Sequence, residues 1–293
     1  MTQLEEVSSG IDTLNLSGTG ELRPDIGEEL QAHKDAAQES RAAIAFAMGD
    51  GGWSVLAHGM GRYRFCLVHE FGQVGVTDSR SLPALRIQPR SRFLHALGPG
   101  KAVEWLESQV EDLVPDVRLA ASRLDVYADW LGFDLAGDRR EEFVCRAGRL
   151  TTHEQGAGWT GFEFGRRATG TVAARIYDKT RQATEGGHDW WCDVWQRPLD
   201  AANPVTRVEF EVGRQGLREF GLDGAQEAIK TAPQIWRALT GSWLSHRTPN
   251  SDSIAPAGPC PRNGSVCKRR ASPHTPLAWI VCAQGAIEDH CVA

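Results

Sequence analysis

Arg123-Leu124-Asp125-Val126-Tyr127-Ala128-Asp129, Arg175-Ile176-Tyr177-Asp178-Lys179 and Arg207-Val208-Glu209-Phe210-Glu211-Val212 each alternate polar or charged residues with apolar ones. Period two is the signature of a β-strand, because successive strand side chains point to opposite faces. Arg123, Asp125, Tyr127 and Asp129 therefore share a face, as do Arg175, Tyr177 and Lys179, and Arg207, Glu209 and Glu211. The opposite faces carry Leu124, Val126, Ile176, Val208, Phe210 and Val212, which can bury against helices. If the three strands lie in one sheet, carboxylates, cations and a tyrosine hydroxyl meet on one surface. That grouping suits metal-assisted phosphoryl transfer.

Working outward, residues 53–58, 63–69 and 73–77 are short strand-like runs separated by Gly-rich turns, with 85–88 as a further strand, which suggests a β-meander. Residues 101–114 place Val103, Leu106, Val110 and Leu113 at helical spacing before Pro115. Residues 143–146, 161–166, 171–179 and 205–212 read as strands, and 217–220, 225–231 and 235–244 as helices, with Pro233 as a break or helix start. The Trp-rich insertion 185–204 has no clear pattern. The expected fold class is α+β: a mainly antiparallel sheet with helices packed on one face and the active face left open.

A chain of 293 residues can bury a real core. With 41% apolar and 24% charged residues it has an ordinary globular composition. The longest apolar run, 42–48, is far too short to span a bilayer. The acidic start has no basic n-region and no apolar h-region, and seven irregularly spaced cysteines argue against a disulfide framework, so a reducing cytoplasm is the expected compartment. Residues 1–40 hold nine acids against two bases, while the remainder is nearly balanced at 29 acids and 30 bases. Hence residues 1–41 read as an acidic flexible arm, 42–248 as the working domain, and 249–293 as an atypical tail, disordered or frameshifted. The tail holds four of the seven cysteines but no CxxC pair, which makes a zinc site a weak reading.

SRLDVYADW (122–130), GFEFGRRATGTVAARIYDK (161–179) and VTRVEFEVGRQGLREFG (205–221), in that order and spacing, resemble the replication initiation factor family. These are the Rep-trans initiators of rolling-circle plasmid and phage replication, with related relaxases of conjugative elements. The resemblance covers roughly residues 45–245. It implies nicking of one strand of origin DNA by a tyrosine with a divalent metal, leaving a 5′-phosphotyrosine link and a free 3′-hydroxyl that primes synthesis. It implies double-stranded origin DNA and the nicked single strand as partners, with a host helicase and a second copy of the chain as further candidates, and no membrane. None of the nine histidines forms the His-apolar-His pair of the better-known rolling-circle nickases. A metal would then be held by carboxylates, which favours Mg²⁺ or Mn²⁺.

Among the three tyrosines, Tyr63 lies in the meander, Tyr127 could pack beside a metal, and Tyr177 occupies the motif position that the resemblance assigns to the nucleophile. Its bland alternative is an amphipathic sheet residue with a wet hydroxyl. Asp125 and Glu209 are the first choices for metal ligands and Asp129 the third; the alternative is cross-strand ion pairing with Arg123, Arg175 or Arg207. Lys179 could stabilise phosphorane charge or lower the tyrosine pKa, against a solvated strand-end lysine. Arg166, Arg167, Arg175 and Arg207 are candidate DNA phosphate contacts. Trp190, Trp191 and Trp195 could stack on a base, but pinning a loop to the core is the preferred role. Readings from other classes are a metal-dependent nuclease using water, and a DNA-binding module without catalysis; a mobilisation relaxase shares the tyrosine chemistry.

Overall fold

The computed structural model describes residues 4–133, 135, 142–155 and 158–246. The chain opens with a long strand, β1 (Glu5–Thr19), and a helix, α1 (Pro24–Ser40). A meander follows: β2 (Ile44–Phe46), β3 (Trp53–Val55), β4 (Phe65–His69), β5 (Gly72–Val76) and β6 (Leu85–Pro89). Helices α2 (Ser91–Leu97) and α3 (Pro99–Val110) lead to β7 (Arg118–Leu131). Then come β8 (Phe143–Cys145), β9 (Leu150–Gln155), β10 (Gly158–Phe164), β11 (Val172–Asp178), α4 (Lys179–Glu185), α5 (Trp191–Trp195), β12 (Thr206–Gly213), α6 (Arg214–Glu219), α7 (Ala225–Ser242) and β13 (Leu244–His246).

Eleven strands form one antiparallel sheet in the order β2-β3-β4-β5-β6-β1-β7-β12-β11-β10-β9; β13 and β8 pair separately. The expected class, α+β with a large antiparallel sheet and helices, is what the chain adopts. The meander is where its strand-and-turn pattern placed it. The apolar faces of β7, β11 and β12 bury Leu124, Val126, Ile176, Val208, Phe210 and Val212 in the main core. Helix α7 packs over them, with Trp236 edge-on to Phe210 at 5.4 Å. Pro233 does not break α7, which runs through it. The lost N–H bond is outweighed by the burial of Ile229, Ile235 and Trp236 on either side.

The largest departure from expectation is at the N-terminus. Residues 5–19 are not an arm: β1 lies in the interior of the sheet, between β6 and β7, and joins its two halves. Its pairing with β7 is interrupted at Glu6/Ser8, Ile11/Thr13 and Asn15/Leu16. Each shift breaks the period of two, so Ile11, Leu14 and Leu16 are all buried although their spacing is irregular. Helix α1 then buries Ile26, Leu30 and Ala37 and turns its acids to solvent. Five of the nine acids in 1–40 thus belong to a solvated helix face. The tail 249–293, with its zinc and frameshift readings, lies outside the described residues. Among the described residues, no helix is long and apolar enough to cross a membrane. The described cysteines Cys66, Cys145 and Cys192 are free thiols.

An integral β1 makes a direct prediction. Leu14→Ala and Leu16→Ala should each cost about 2–5 kcal/mol in urea unfolding. A loose arm would leave each change within about 0.5 kcal/mol.

Candidate active site

Strands β7, β12 and β11 are neighbours, and their register fixes the site. Across β12 and β7, Arg207 faces Asp129, Glu209 faces Tyr127 and Glu211 faces Asp125. Across β11 and β12, Tyr177 faces Arg207 and Arg175 faces Glu209. Directly opposed residues in an antiparallel pair share a face, so all eight side chains converge on one surface.

The surface has an inner, buried part centred on Arg207. Its guanidinium is fully buried and donates to Asp129 through Nε (2.7 Å) and Nη2 (2.8 Å), and to Asp12 through Nη1 (2.6 Å). It stacks 3.8 Å from the centre of the Tyr127 ring and 4.3 Å from that of Trp191. Trp195 Nε1 donates to the second Asp129 oxygen at 2.8 Å. The Tyr127 hydroxyl is paired with Ser8 at 2.8 Å, and burial pushes its pKa far up. Burial works against the Asp12 carboxylate, but Arg207 outweighs it and holds the pKa well below the usual range. Asp12 sits at the β1 irregularity between Ile11 and Thr13; an extra residue there re-aims its side chain toward Arg207.

The outer part surrounds Tyr177. Its hydroxyl donates to Glu209 Oε2 at 2.9 Å, and Arg175 Nη2 donates to Glu209 Oε1 at 2.5 Å. The Arg175 guanidinium lies 4.9 Å from the centre of the Tyr177 ring. Burial opposes ionisation of Glu209, yet Arg175 and Arg207 keep it an anion with a lowered pKa. Burial, and then the Glu209 charge, raises the Tyr177 pKa well above that of a free phenol. Further along, Asp125 pairs with Arg123, and Glu211 forms an ion pair with Arg123 (3.1 Å) and accepts from Arg167 Nε (2.9 Å) and from the Ala168 backbone N–H (2.6 Å). Burial pushes the Asp125 carboxyl up to about 7; Arg123 pulls against this, and Glu209 adds to it.

Sequence-predicted residues thus meet as a group but differ in standing. Tyr177, Glu209, Asp125, Arg175 and Arg167 lie together on the polar face. Arg207 does not fit a DNA contact: it has no exposed surface and serves as the buried counter-ion of Asp12 and Asp129. Asp129 does not fit a metal ligand, because Arg207 and Trp195 take both of its oxygens. Lys179 is not a solvated strand-end residue: it opens α4, is 4% exposed, and lies 4.6 Å from the Trp191 ring centre. Burial and the nearby Arg207 lower its pKa to about 8. Trp191 and Trp195 are buried and pin their loop to the sheet.

A metal held by carboxylates can be tested against this donor set. Asp125 and Glu209 are buried on neighbouring strands, but Arg123 takes both oxygens of Asp125, and Arg175 and Tyr177 take those of Glu209, so by the test that excludes Asp129 neither fits a metal ligand as it stands. Among the described residues no three His, Cys, Asp or Glu side chains gather at metal-binding distance.

Tyr177 borders an open groove of about 370 Å³, together with His153, Arg175, Asp178, Arg181 and Gly161. His153 and Tyr177 both pair with Gly161, one from each side, so only a glycine separates them across the sheet. A Cβ at Gly161 would come within 3.2 Å of Tyr177 Cβ and 3.0 Å of the Ile176 carbonyl oxygen. Asp12, His153 and Arg181 escaped the sequence reading. Asp12 was hidden by the bulge, and His153 by a polar edge strand with no alternation, Leu-Thr-Thr-His-Glu-Gln. Arg181 follows the strand motif, on the first turn of α4.

No family model matches the chain, and no curated protein sequence matches it significantly. Among solved structures, the rolling-circle replication initiator protein of Geobacillus stearothermophilus is similar in fold, with a TM-score of 0.51 and 13% identity over 99% of both chains. At that identity the likeness establishes the shared architecture.

The raised Asp125 pKa has a defined pH signature. The folded value of about 7 lies above the unfolded value of about 3.9, so the folded chain takes up a proton between them. The stabilisation is complete below about pH 4 and is lost as pH rises through about 7. In chelator, wild type should therefore lose on the order of 3 kcal/mol relative to Asp125→Asn between about pH 4 and 8, read from urea unfolding. Parallel profiles for the two proteins would mean that Asp125 is ionised throughout.

Proposed function

We propose that the protein nicks one strand of origin DNA through Tyr177 and so starts rolling-circle replication. The observation that carries this reading is Tyr177, whose hydroxyl is hydrogen-bonded to Glu209 at 2.9 Å and which lines an open groove together with Arg175 and Arg181. The motif resemblance and the fold shared with a rolling-circle replication initiator support it.

The phenol is neutral at physiological pH, since its pKa is raised. Its proton must therefore leave as the oxygen attacks. Glu209 Oε2 is the acceptor in place, and Arg175 keeps that carboxylate ionised and oriented through the other oxygen. In the nicking step the Tyr177 Oη–phosphorus bond forms and the phosphorus–O3′ bond breaks. The phenolic proton passes to Glu209, and the departing 3′-oxygen is protonated from solvent. The DNA 5′-phosphate stays on Tyr177, and the 3′-hydroxyl is free to prime synthesis. Arg175, 30% exposed beside the tyrosine, is placed to meet the phosphate oxygens. Arg207, Asp12 and Asp129 act from beneath, fixing the strand register that sets Tyr177 beside Glu209.

The test uses supercoiled DNA carrying the replicon's own origin, with Mg²⁺, and a denaturing gel for covalent protein–DNA adduct. Tyr177→Phe should abolish the adduct and reduce nicking at least about a thousandfold. Glu209→Gln should reduce nicking by about 10²–10⁴. Nicking that survives Tyr177→Phe would point to a nuclease using water. Binding without cleavage would point to a non-catalytic module.

A further inference from the structure

The face of the sheet opposite Tyr177 carries a second cleft, of about 690 Å³. It lies where the C-terminal end of α7 passes the β10–β11 turn. Arg146, Arg149 and Arg166 line it, and all three are exposed. Among the described residues none of the three has a carboxylate at ion-pair distance; Arg149 Nε reaches only the Thr151 hydroxyl, at 3.4 Å. This contrasts with the polar face, where Arg123, Arg167, Arg175 and Arg207 all hold carboxylates. Glu219, which also lines the cleft, and the carbonyl end of α7 offset part of the positive charge. Phe220 and Trp243, both half-buried, add aromatic surface to its wall, and Thr169 adds a hydroxyl.

Free guanidinium groups around aromatic rings are complementary to a strand whose bases are unpaired. The phosphates take the cations, and a base face can stack on a ring; in a duplex those faces are already stacked. The turn at 165–170 links this cleft to the catalytic face. Arg166 points into the cleft, while its neighbour Arg167 reaches Glu211 on the Tyr177 side. We infer that the Arg146–Arg149–Arg166 cleft, with Trp243 and Phe220, binds a single-stranded DNA segment next to the one being cut. This rests on the nicking reading for the identity of the ligand. It adds a holding site outside the reaction centre, so that a strand passing over the β10–β11 turn is gripped on both faces of the sheet.

The experiment measures binding of the full-length protein to a fluorescein-labelled oligothymidylate of about 12 nucleotides and to a duplex of equal length, over a salt series. The triple variant Arg146→Ala/Arg149→Ala/Arg166→Ala should bind the single strand at least about tenfold more weakly. Its plot of log K against log salt should be shallower by about 2, because each phosphate contact on a single strand contributes about 0.7. The loss on duplex should be smaller. Trp243→Ala should weaken single-strand binding by roughly tenfold and Trp243→Phe by much less, with thermal melting used to confirm folding. Unchanged affinity and slope in the triple variant would overturn the inference, and so would equal losses on both probes. The measurements are repeated in the Tyr177→Phe background, which lacks the nucleophile but keeps the cleft. Adduct formation by wild type with no binding loss in the triple variant refutes the cleft alone. A binding loss with no adduct from wild type refutes the nicking reading alone.

Discussion

Arg207 is the cation about which this structure is organised. A guanidinium with no exposed surface is tolerated only if its charge and its donors are matched. Here Asp129 from β7 and Asp12 from β1 supply the charge, and the rings of Tyr127 and Trp191 lie against it. Three adjacent strands and α5 are joined at one residue. Removing a single partner would strand a buried charge, at a cost of about 3–5 kcal/mol, so the ion cluster fixes the register as much as it adds stability.

That register separates two functions that look alike in composition. Asp129 and Asp125 both lie on the polar face of β7, four residues apart. Asp129 faces Arg207 and becomes structural. Asp125 is buried facing Glu211, and burial, with Glu209 and Glu211 adding to it against the pull of Arg123, raises its pKa. Tyr177 is placed by the same logic. One residue further along β11 the side chain would enter the core, as that of Ile176 does.

The sequence made the three charged strands legible because their alternation is unbroken from Arg123 to Asp129, Arg175 to Tyr177 and Arg207 to Val212. It left β1 illegible for a physical reason. Bulges at Ile11/Thr13 and Asn15/Leu16 scramble the period by which a strand is recognised, and the acids of α1 gave the whole segment a disordered composition. Asp12 disappeared with it. Which acid faces which base depends on strand order and register, and residue types alone do not carry that information. The group of site residues could therefore be read before the roles within it. Pro233 shows the same limit in a helix, since local propensity yielded to the apolar face on either side.

Gly161 draws these threads together. The row that crosses the sheet through Tyr177 is closed on one side by Arg207 and bare on the other, where a glycine stands before His153. The ring has a blocked flank and an unobstructed one. The asymmetry belongs to the backbone: a residue with a side chain at 161 would press on the Tyr177 Cβ and the Ile176 carbonyl, so the bare flank is kept by a missing side chain.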